Sequence, residues 1–424
     1  MSIDLKRIRI ERLFDAYNLD VPIQDNTLIL VGENGSGKST VINLLYYTLT
    51  AQWDRLAEVP FHSCTVTIGD QDYPMSKEDL CIVKENNRVK RINNFYSSFI
   101  RLGTSSRADL EEDKEIRITD KLAEYIQSNL EEEQVLFLPT YRRIEKELRD
   151  VFPDRDFEDV FPVSPANRSQ KKPQAGYVEL VEFGMEDVIR AFDSTLSDLE
   201  QNFRQELNRL TGSYLGDIIR NTYKNVEASQ LATEEFTETI KVMLPRIGDI
   251  LSEGDRQKLG QILEDVRTNQ VLLEEQRVTA YFLTRLVEIH KSQQEKERPI
   301  RKLVDLVNQY LSNKKLEFNS SEFKLVVKRK NKEMTEVPIP GLSSGEKQII
   351  SLFSHILLSD HSKYFVVIDE PELSISVPWQ RRFLQDLKDT EKCSGLIAVT
   401  HSPFVFENSL AEYAHSISEF IEEI

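Results

Sequence analysis

Three groups of residues have the types and spacing that phosphate chemistry requires. The first is the run V-G-E-N-G-S-G-K-S-T at residues 31–40, which follows a short apolar segment and precedes apolar residues at helical spacing. Glycines allow successive backbone N–H groups to turn inward around a phosphate, and the N-terminus of a following helix attracts the same anion. The candidate nucleotide-binding residues are Gly32, Asn34, Gly35, Ser36, Gly37, Lys38, Ser39 and Thr40.

This loop has the spacing G-x-x-x-x-G-K-S of a Walker A motif. Lys38 is predicted to reach the β- and γ-phosphates of ATP, and the Ser39 hydroxyl is predicted to bind Mg²⁺. The alternative is a glycine-rich turn that contains a lysine by chance. The strand pattern before the loop and the helix pattern after it favour phosphate binding.

The second group is a pair of acids, Asp369 and Glu370, at the end of a hydrophobic segment that begins at residue 364. This is a Walker B pattern, in which Asp369 holds Mg²⁺ directly or through water. Glu370 is then placed to polarise the attacking water as a general base. Buried strands also end in Asp-Glu by chance, but a phosphate loop in the same chain favours the catalytic interpretation.

The third group consists of two motifs in the last hundred residues. One opens a predicted helix about 25 residues before the acids and consists of Ser343, Ser344, Gly345 and Glu346. It is either a helix N-cap or a signature motif that binds the γ-phosphate of ATP held by another subunit. His401 follows another buried strand and is either structural or a switch histidine on the γ-phosphate. The order of the motifs favours an ATPase, with the catalytic residues Lys38, Glu370 and His401.

Length and composition exclude several classes of protein. The chain has 424 residues, enough for two or three domains, and no apolar run approaches the roughly 20 residues that span a membrane. The cysteines, Cys64, Cys81 and Cys393, form no C-x-x-C pair, and the N-terminus has no signal-peptide pattern. We therefore expect a protein of the reducing cytoplasm. The net charge of −17 argues against general wrapping of nucleic acid, although charge can segregate onto one face.

The periodicity of apolar residues predicts an α/β fold that a long helical segment divides, and the motifs assign the two flanking parts to an ATPase head. Residues 1–184 are predicted to form its first part, with the Walker A motif, and residues 313–424 its second part. Residues 185–312 are predicted to be a helical insertion with breaks near Pro245, Gly254 and Pro299. Because no unbroken heptad array is present, we expect any helical hairpin to be short. For the glutamine that senses phosphate in such heads, the candidates are Gln52 and the turn after Leu138.

Two basic stretches are candidate contacts for a partner or for nucleic acid. Arg88 and Arg91 lie in a polar stretch with interleaved aromatic residues, and Arg142 and Arg143 follow the strand predicted at residues 134–139. Polar groups at the end of a parallel strand often face a ligand. The alternative in both stretches is a solvated surface, with the second arginine pair at the start of a helix.

Together the four motifs resemble the head of an ABC-type ATPase of the SMC-like, RecF-like and OLD-like branch. The run D-E-P-E-L-S-I-S at residues 369–376, followed by W-Q, resembles a pattern of prokaryotic defence ATPases in this branch, which include the ATPase subunits of PARIS anti-phage systems. L-P-T-Y-R-R-I-E at residues 138–145 and F-G-M-E-D-V at residues 183–188 are similar to that group as well. Ser376 stands where the family often has histidine, so we expect the contact made by this loop to differ.

The resemblance implies a head-to-head dimer with ATP and Mg²⁺ between the heads, and higher homo-oligomers. It also implies a separate Toprim-type nuclease effector and a phage-encoded trigger, such as an anti-restriction protein that mimics DNA. We expect an ATPase with no nuclease site of its own, because the sequence shows no acidic nuclease motif. A RecF-like repair ATPase that binds DNA ends or gaps is the alternative. A transporter ATPase is disfavoured, because transporter heads lack so large an insertion.

Overall fold

The structure is a computed structural model that describes residues 3–80, 118–129, 133–139, 177–179, 185–246, 252–269, 272–331 and 333–424. The chain divides into two compact units, one formed by residues 1–183 with 360–424 and the other by residues 184–359. Among the helices of the described segments, none is long and apolar enough to cross a membrane.

The described strands are β1 (Leu5–Leu13), β2 (Tyr17–Pro22), β3 (Thr27–Val31), β4 (Ser63–Ile68), β5 (Gln71–Ser76), β6 (Glu133–Leu138), β7 (Tyr177–Glu179), β8 (Lys314–Asn319), β9 (Lys324–Arg329), β10 (Glu336–Val337), β11 (Lys363–Asp369), β12 (Cys393–Thr400), β13 (Ala414–Ser416) and β14 (Ile421–Glu423). The described α-helices are α1 (Lys38–Leu49), α2 (Trp53–Leu56), α3 (Ile118–Asn129), α4 (Met185–Ile219), α5 (Ala228–Leu231), α6 (Glu234–Arg246), α7 (Glu253–Asn269), α8 (Arg277–Asn308), α9 (Ser344–Leu358) and α10 (Val377–Lys388).

A parallel sheet forms the centre of the first unit. Its strands, within the described residues, follow the order β13-β3-β12-β11-β6-β7. The central strands are almost continuously apolar, as expected for strands that are covered on both faces. Alternate side chains, such as Leu28 and Leu30 in β3 and Phe365 and Val367 in β11, join a core shared with α1. The predicted α/β fold is confirmed.

A second sheet of the first unit is antiparallel and contributes to the same core. Its described strands follow the order β14-β2-β1-β4-β5. In β1, Ile8 and Ile10 are fully buried and belong to the core that includes α1, whereas Arg9 between them pairs with Asp20 on β2. The hairpin predicted from the alternation at residues 64–73 is confirmed as β4 and β5. Gly69 turns the chain between them with a φ of 58°.

The second unit contains the longest described helices, α4 with 35 residues and α8 with 32 residues. They contact each other, so the expectation of a short helical hairpin is wrong. The predicted break at Pro299 is also wrong, because α8 continues through it. Proline removes one N–H donor from a helix interior. Ile300 and Leu303, which follow it, are fully buried, and this packing supports the helix past the missing bond.

The strands β10, β9 and β8 form an antiparallel sheet in the second unit, and α9 contacts both long helices. This unit extends from residue 184 to residue 359, beyond the predicted end of the insertion at residue 312. The assignment of residues 313–359 to the second part of the ATPase head stays a prediction.

Close packing between β12 and β11 requires a glycine at position 395. A Cβ on Gly395 would lie 2.3 Å from Cε2 of Phe365, a fully buried ring on the neighbouring strand. We predict that Gly395→Ala lowers the free energy of unfolding by about 1–3 kcal/mol, because an overpacked core forces its neighbours to move. Denaturant unfolding of the purified chain measures this.

Gly260→Ala is the matched control for that measurement. Gly260 lies within α7, and an added Cβ would have no heavy atom within 4 Å other than the neighbouring backbone of its own helix. Alanine favours a helix interior over glycine by up to about 1 kcal/mol, so this variant should be as stable as the wild type or more stable. Equal effects of the two substitutions would contradict the steric explanation.

Candidate functional site

The phosphate loop, residues 32–37, connects β3 to α1 in a conformation that suits glycine. Gly35 and Gly37 have φ angles of 81° and 90°, in the left-handed region. Gly37 is the N-cap of α1, and a Cβ there would lie 2.6 Å from the Tyr17 hydroxyl oxygen. The first turn of α1 carries no acidic side chain that would offset the positive end of the helix dipole. The local electrostatics therefore favour an anion.

Lys38 is nearly buried and its side chain folds back over this loop. Its ammonium donates hydrogen bonds to the carbonyl oxygens of Gly32 at 2.8 Å and Glu33 at 2.7 Å, and to Ser36 Oγ at 3.3 Å. Burial lowers the pKa of Lys38 below its ordinary value, whereas the carboxylates at and just after the end of β11 oppose that shift. These contacts hold the ammonium where a phosphate in the loop would meet it.

Parallel pairing brings the loop and the Walker B acid to one edge of the sheet. Val31 pairs with Thr400, and Val399 pairs with Asp369, so the carboxyl ends of β3, β12 and β11 lie side by side. The Ser39 hydroxyl donates to Asp369 Oδ1 at 3.4 Å, although 330 positions of the sequence separate the two residues. This edge is where parallel α/β sheets place ligands.

Glu370 and His401 meet at the same edge. Glu370 has a φ of 51°, which turns the chain immediately after β11. His401 is the first residue after β12, and its Nε2 lies 3.9 Å from Glu370 Oε1. The side chains are 34% and 28% exposed, so both are accessible to a ligand from solvent. The structure thus brings together the predicted catalytic and metal-binding residues Lys38, Ser39, Asp369, Glu370 and His401.

Glu372, to which no sequence motif assigns a role, joins the ends of β11 and β12. One of its carboxylate oxygens accepts a hydrogen bond from the Thr400 hydroxyl at 2.8 Å, and the other accepts from the backbone N–H of His401 at 2.8 Å. The signals in the sequence were a glutamate two positions after Glu370 and a threonine directly before the histidine. Neither spacing predicts a contact across 28 residues.

The residues at this edge fit ATP with Mg²⁺. Ser39 Oγ and Asp369 Oδ1 are close together, and hydroxyl and carboxylate oxygens are the hard ligands that Mg²⁺ prefers. Mg²⁺ usually takes only one or two protein ligands and completes its shell with phosphate oxygens and water. Within the described residues, no group of three or more His, Cys, Asp or Glu residues is placed to hold a metal ion. The predicted absence of a nuclease site stays a prediction.

A profile of the protein family described as "AAA domain, putative AbiEii toxin, Type IV TA system" matches residues 28–407. The match includes the phosphate loop, both Walker B acids and His401. The chain belongs to this family. It is therefore an ATPase of the AAA type, and ATPases of this kind use ATP, typically with Mg²⁺.

Solved structures similar to the chain include heads of SMC proteins. One is the SMC head domain with an extended coiled coil, bound to the C-terminal domain of ScpA, from Pyrococcus furiosus. It has 12% identity and a TM-score of 0.35, and the match covers 100% of this chain and 96% of that chain. Another is the SMC head bound to the C-winged helix domain of ScpA, with 10% identity, a TM-score of 0.37, and coverage of 99% and 97%. No curated protein matches the chain.

The signature motif opens α9 in the second unit. Ser343 is the N-cap: its Oγ accepts from the Glu346 N–H at 3.4 Å, and Glu346 Oε2 accepts from the Ser343 N–H at 2.8 Å. This reciprocal pair is a capping box. Ser343 and Ser344 are exposed, whereas Gly345 and Glu346 are buried. The N-cap interpretation is thus confirmed, and a nucleotide contact by the exposed serines remains a prediction.

Glu346 has a second partner in β8. The Lys314 ammonium donates to both carboxylate oxygens, at 2.8 Å and 2.7 Å, and both side chains are largely buried. Burial acts to raise the pKa of Glu346, but the Lys314 hydrogen bonds and the capping box outweigh it, so the pKa lies below its ordinary value. The charged carboxylate is therefore part of the folded structure at neutral pH.

The remaining site predictions fall elsewhere. The proposed partner contacts Arg88, Arg91, Arg142 and Arg143 lie outside the described residues. Gln52 lies beyond the C-terminal end of α1, a helix about 18 Å long that begins at the phosphate loop, and its amide donates to Thr50 Oγ1 at 2.8 Å. It is too far from the loop for the phosphate-sensing role, so this candidate is wrong.

We predict that Lys314→Ala lowers the free energy of unfolding by about 1–3 kcal/mol at pH 7, because it leaves the Glu346 carboxylate largely buried without its cation. A carboxyl group with a lowered folded pKa stabilises the fold above its unfolded pKa of about 4.3, and this stabilisation disappears as the pH falls through the folded pKa. The cost of Lys314→Ala should therefore shrink near pH 3.5.

Urea unfolding at pH 7 and near pH 3.5 measures that difference. Lys241→Ala is the matched control, because its ion pair with Glu238 is exposed on both sides and such pairs contribute less than about 1 kcal/mol. A cost for Lys314→Ala that does not change with pH would contradict the charge-based explanation.

Proposed function

We propose that the chain is an ATP-binding and ATP-hydrolysing sensor and scaffold subunit of an anti-phage defence system. One observation carries the proposal: a phosphate loop, two Walker B acids and a histidine, distant in sequence, converge at one edge of the parallel sheet. The membership of an AAA ATPase family supports the ATPase part. The finer assignment rests on the sequence resemblance.

In this proposal the residues at the sheet edge have separate roles. Lys38 and the loop N–H groups bind the ATP phosphates, and Ser39 with Asp369 holds Mg²⁺, which supplies charge neutralisation when bound. Glu370 takes the proton of the attacking water as general base. His401 donates a hydrogen bond to the γ-phosphate.

The proposed assembly is a head-to-head dimer, with higher homo-oligomers built from it. One copy contributes the sheet edge, and the other contributes the signature motif, led by Ser344 and Gly345. The exposure of Ser343 and Ser344 at the N-terminus of α9 supports this assembly, because a second molecule can reach these residues. A helix N-terminus also attracts phosphate.

The proposed partner is a separate Toprim-type nuclease, and the proposed trigger is a phage anti-restriction or DNA-mimic protein. The resemblance to AriA, the ATPase subunit of PARIS, supports this pairing, since the family partner AriB is a separate Toprim nuclease. PtuA of Septu is a similar subunit. The family description names a toxin of a TA system, which is compatible with a two-component arrangement.

We predict that Lys38→Ala abolishes detectable ATP binding, because it removes the cation at the loop. Glu370→Gln should bind ATP as the wild type does but hydrolyse it about 100-fold or more slowly, since the general base is lost. Equilibrium binding of labelled ATP and steady-state phosphate release measure the two effects. Turnover by Glu370→Gln at the wild-type rate would remove Glu370 from the mechanism.

A pull-down of the Glu370→Gln chain with ATP from its native host tests the scaffold proposal. We expect a stoichiometric second protein with Toprim acids, because hydrolysis-deficient subunits accumulate in the ATP-bound assembly. The same pull-down with Lys38→Ala is the control and should lose that partner. Recovery of nuclease-sensitive DNA without a protein partner would favour the RecF-like repair function instead, with salt-sensitive binding.

A further inference from the structure

The Glu372 carboxylate connects the ends of the two strands that carry the predicted catalytic acid and histidine. It accepts one hydrogen bond from the Thr400 hydroxyl and one from the backbone N–H of His401, each at 2.8 Å. We propose that Glu372 is a positioning residue, which acts on ATP hydrolysis by holding His401 beside Glu370. This inference rests on the proposed function, because it assumes that hydrolysis takes place at this edge.

His401 needs such support because it lies just outside the sheet. The last ladder pair of β12 joins Thr400 to Val31, so the sheet does not fix the next residue. The 3.9 Å between His401 Nε2 and Glu370 Oε1 is too long for a direct hydrogen bond that would orient the ring. Hydrogen bonds to a charged carboxylate are roughly twice as strong as neutral ones. Glu372 therefore fixes the backbone from which the imidazole projects.

A second set of hydrogen bonds joins the segment after the Walker B acids to the turn at residues 400–402. The Thr400 hydroxyl accepts from the Ser402 N–H at 3.0 Å, and Ser402 Oγ donates to Gln380 Oε1 at 2.7 Å. Gln380 in turn donates through Nε2 to the carbonyl oxygen of Ile375 at 3.1 Å. The segment after the Walker B acids thus holds the turn at residues 400–402 at two points. A displacement of that segment would move His401 with it.

Substitutions at position 372 test whether the two hydrogen bonds of the side chain are what positions His401. In Glu372→Gln the amide oxygen can accept from the His401 N–H, and the amide nitrogen can donate to the Thr400 hydroxyl, so we expect kcat within about threefold of wild type. Glu372→Ala loses both bonds and should lower kcat by about 10-fold or more, with ATP affinity within about twofold. Glu412→Ala, at an exposed glutamate of the same unit, is the control and should change neither quantity.

A double-mutant cycle with His401→Ala provides the decisive test. If Glu372 acts through His401, then Glu372→Ala should reduce kcat by less than about twofold in the His401→Ala background. Multiplying losses in the double variant would overturn the proposal, because they would show a role that does not depend on the histidine. The wild-type and Glu370→Gln rates, measured beside the cycle, show independently whether the proposed ATPase function fails.

A spectroscopic measurement tests the positioning without turnover. The chain has six histidines, so its ring ¹H–¹³C spectrum is simple, and the His401 signal is the one that disappears in His401→Ala. We expect Glu372→Ala to shift this signal, Glu372→Gln to shift it less, and Glu412→Ala to leave it unchanged. An unshifted His401 signal in folded Glu372→Ala would overturn the proposal even if the chain hydrolysed no ATP.

Discussion

The candidate site depends on the parallel hydrogen bonding of β3, β12 and β11. Side chains alternate between the faces of a sheet, so a slip of one residue would move a whole strand's apolar side chains to the opposite face. Leu28 and Leu30 in β3, and Phe365 and Val367 in β11, are buried in one core and so fix the register. This register places Asp369 beside the end of β12, within 3.4 Å of Ser39. The packing of the core therefore sets the geometry of the site.

Much of this site was predictable because each motif is local. A few residues are enough to recognise a glycine loop between a strand and a helix, or a strand that ends in acids or in histidine. Parallel sheets bring such strand ends together at one edge. The contact of Glu372 with His401 was not predictable, since it depends on side-chain reach between two strands. The continuation of α8 through Pro299 was not predictable either, because tertiary packing overrides the local preference of proline.

The charges at the sheet edge explain why these residues fit a nucleotide with a divalent cation. The carboxylates of Asp369, Glu370 and Glu372 all raise the pKa of Lys38, against the dominant effect of its burial. Lys38 already donates to three loop oxygens, so its charge is shared between the loop and the acids. A divalent cation, which Ser39 and Asp369 would hold, would offset part of the remaining negative charge. ATP phosphates alone would meet those carboxylates unshielded.

At the N-terminus of α9, a negative charge has two opposing effects. A carboxylate near a helix N-terminus stabilises the helix, but it also repels a phosphate that approaches the same end. In this chain the Glu346 charge is used inside the capping box and is neutralised by Lys314 on β8. The stabilising cap is thereby retained while its net charge is cancelled. If Ser344 binds phosphate as proposed, the neutralisation of Glu346 by Lys314 supports that contact as well as the stability of the helix.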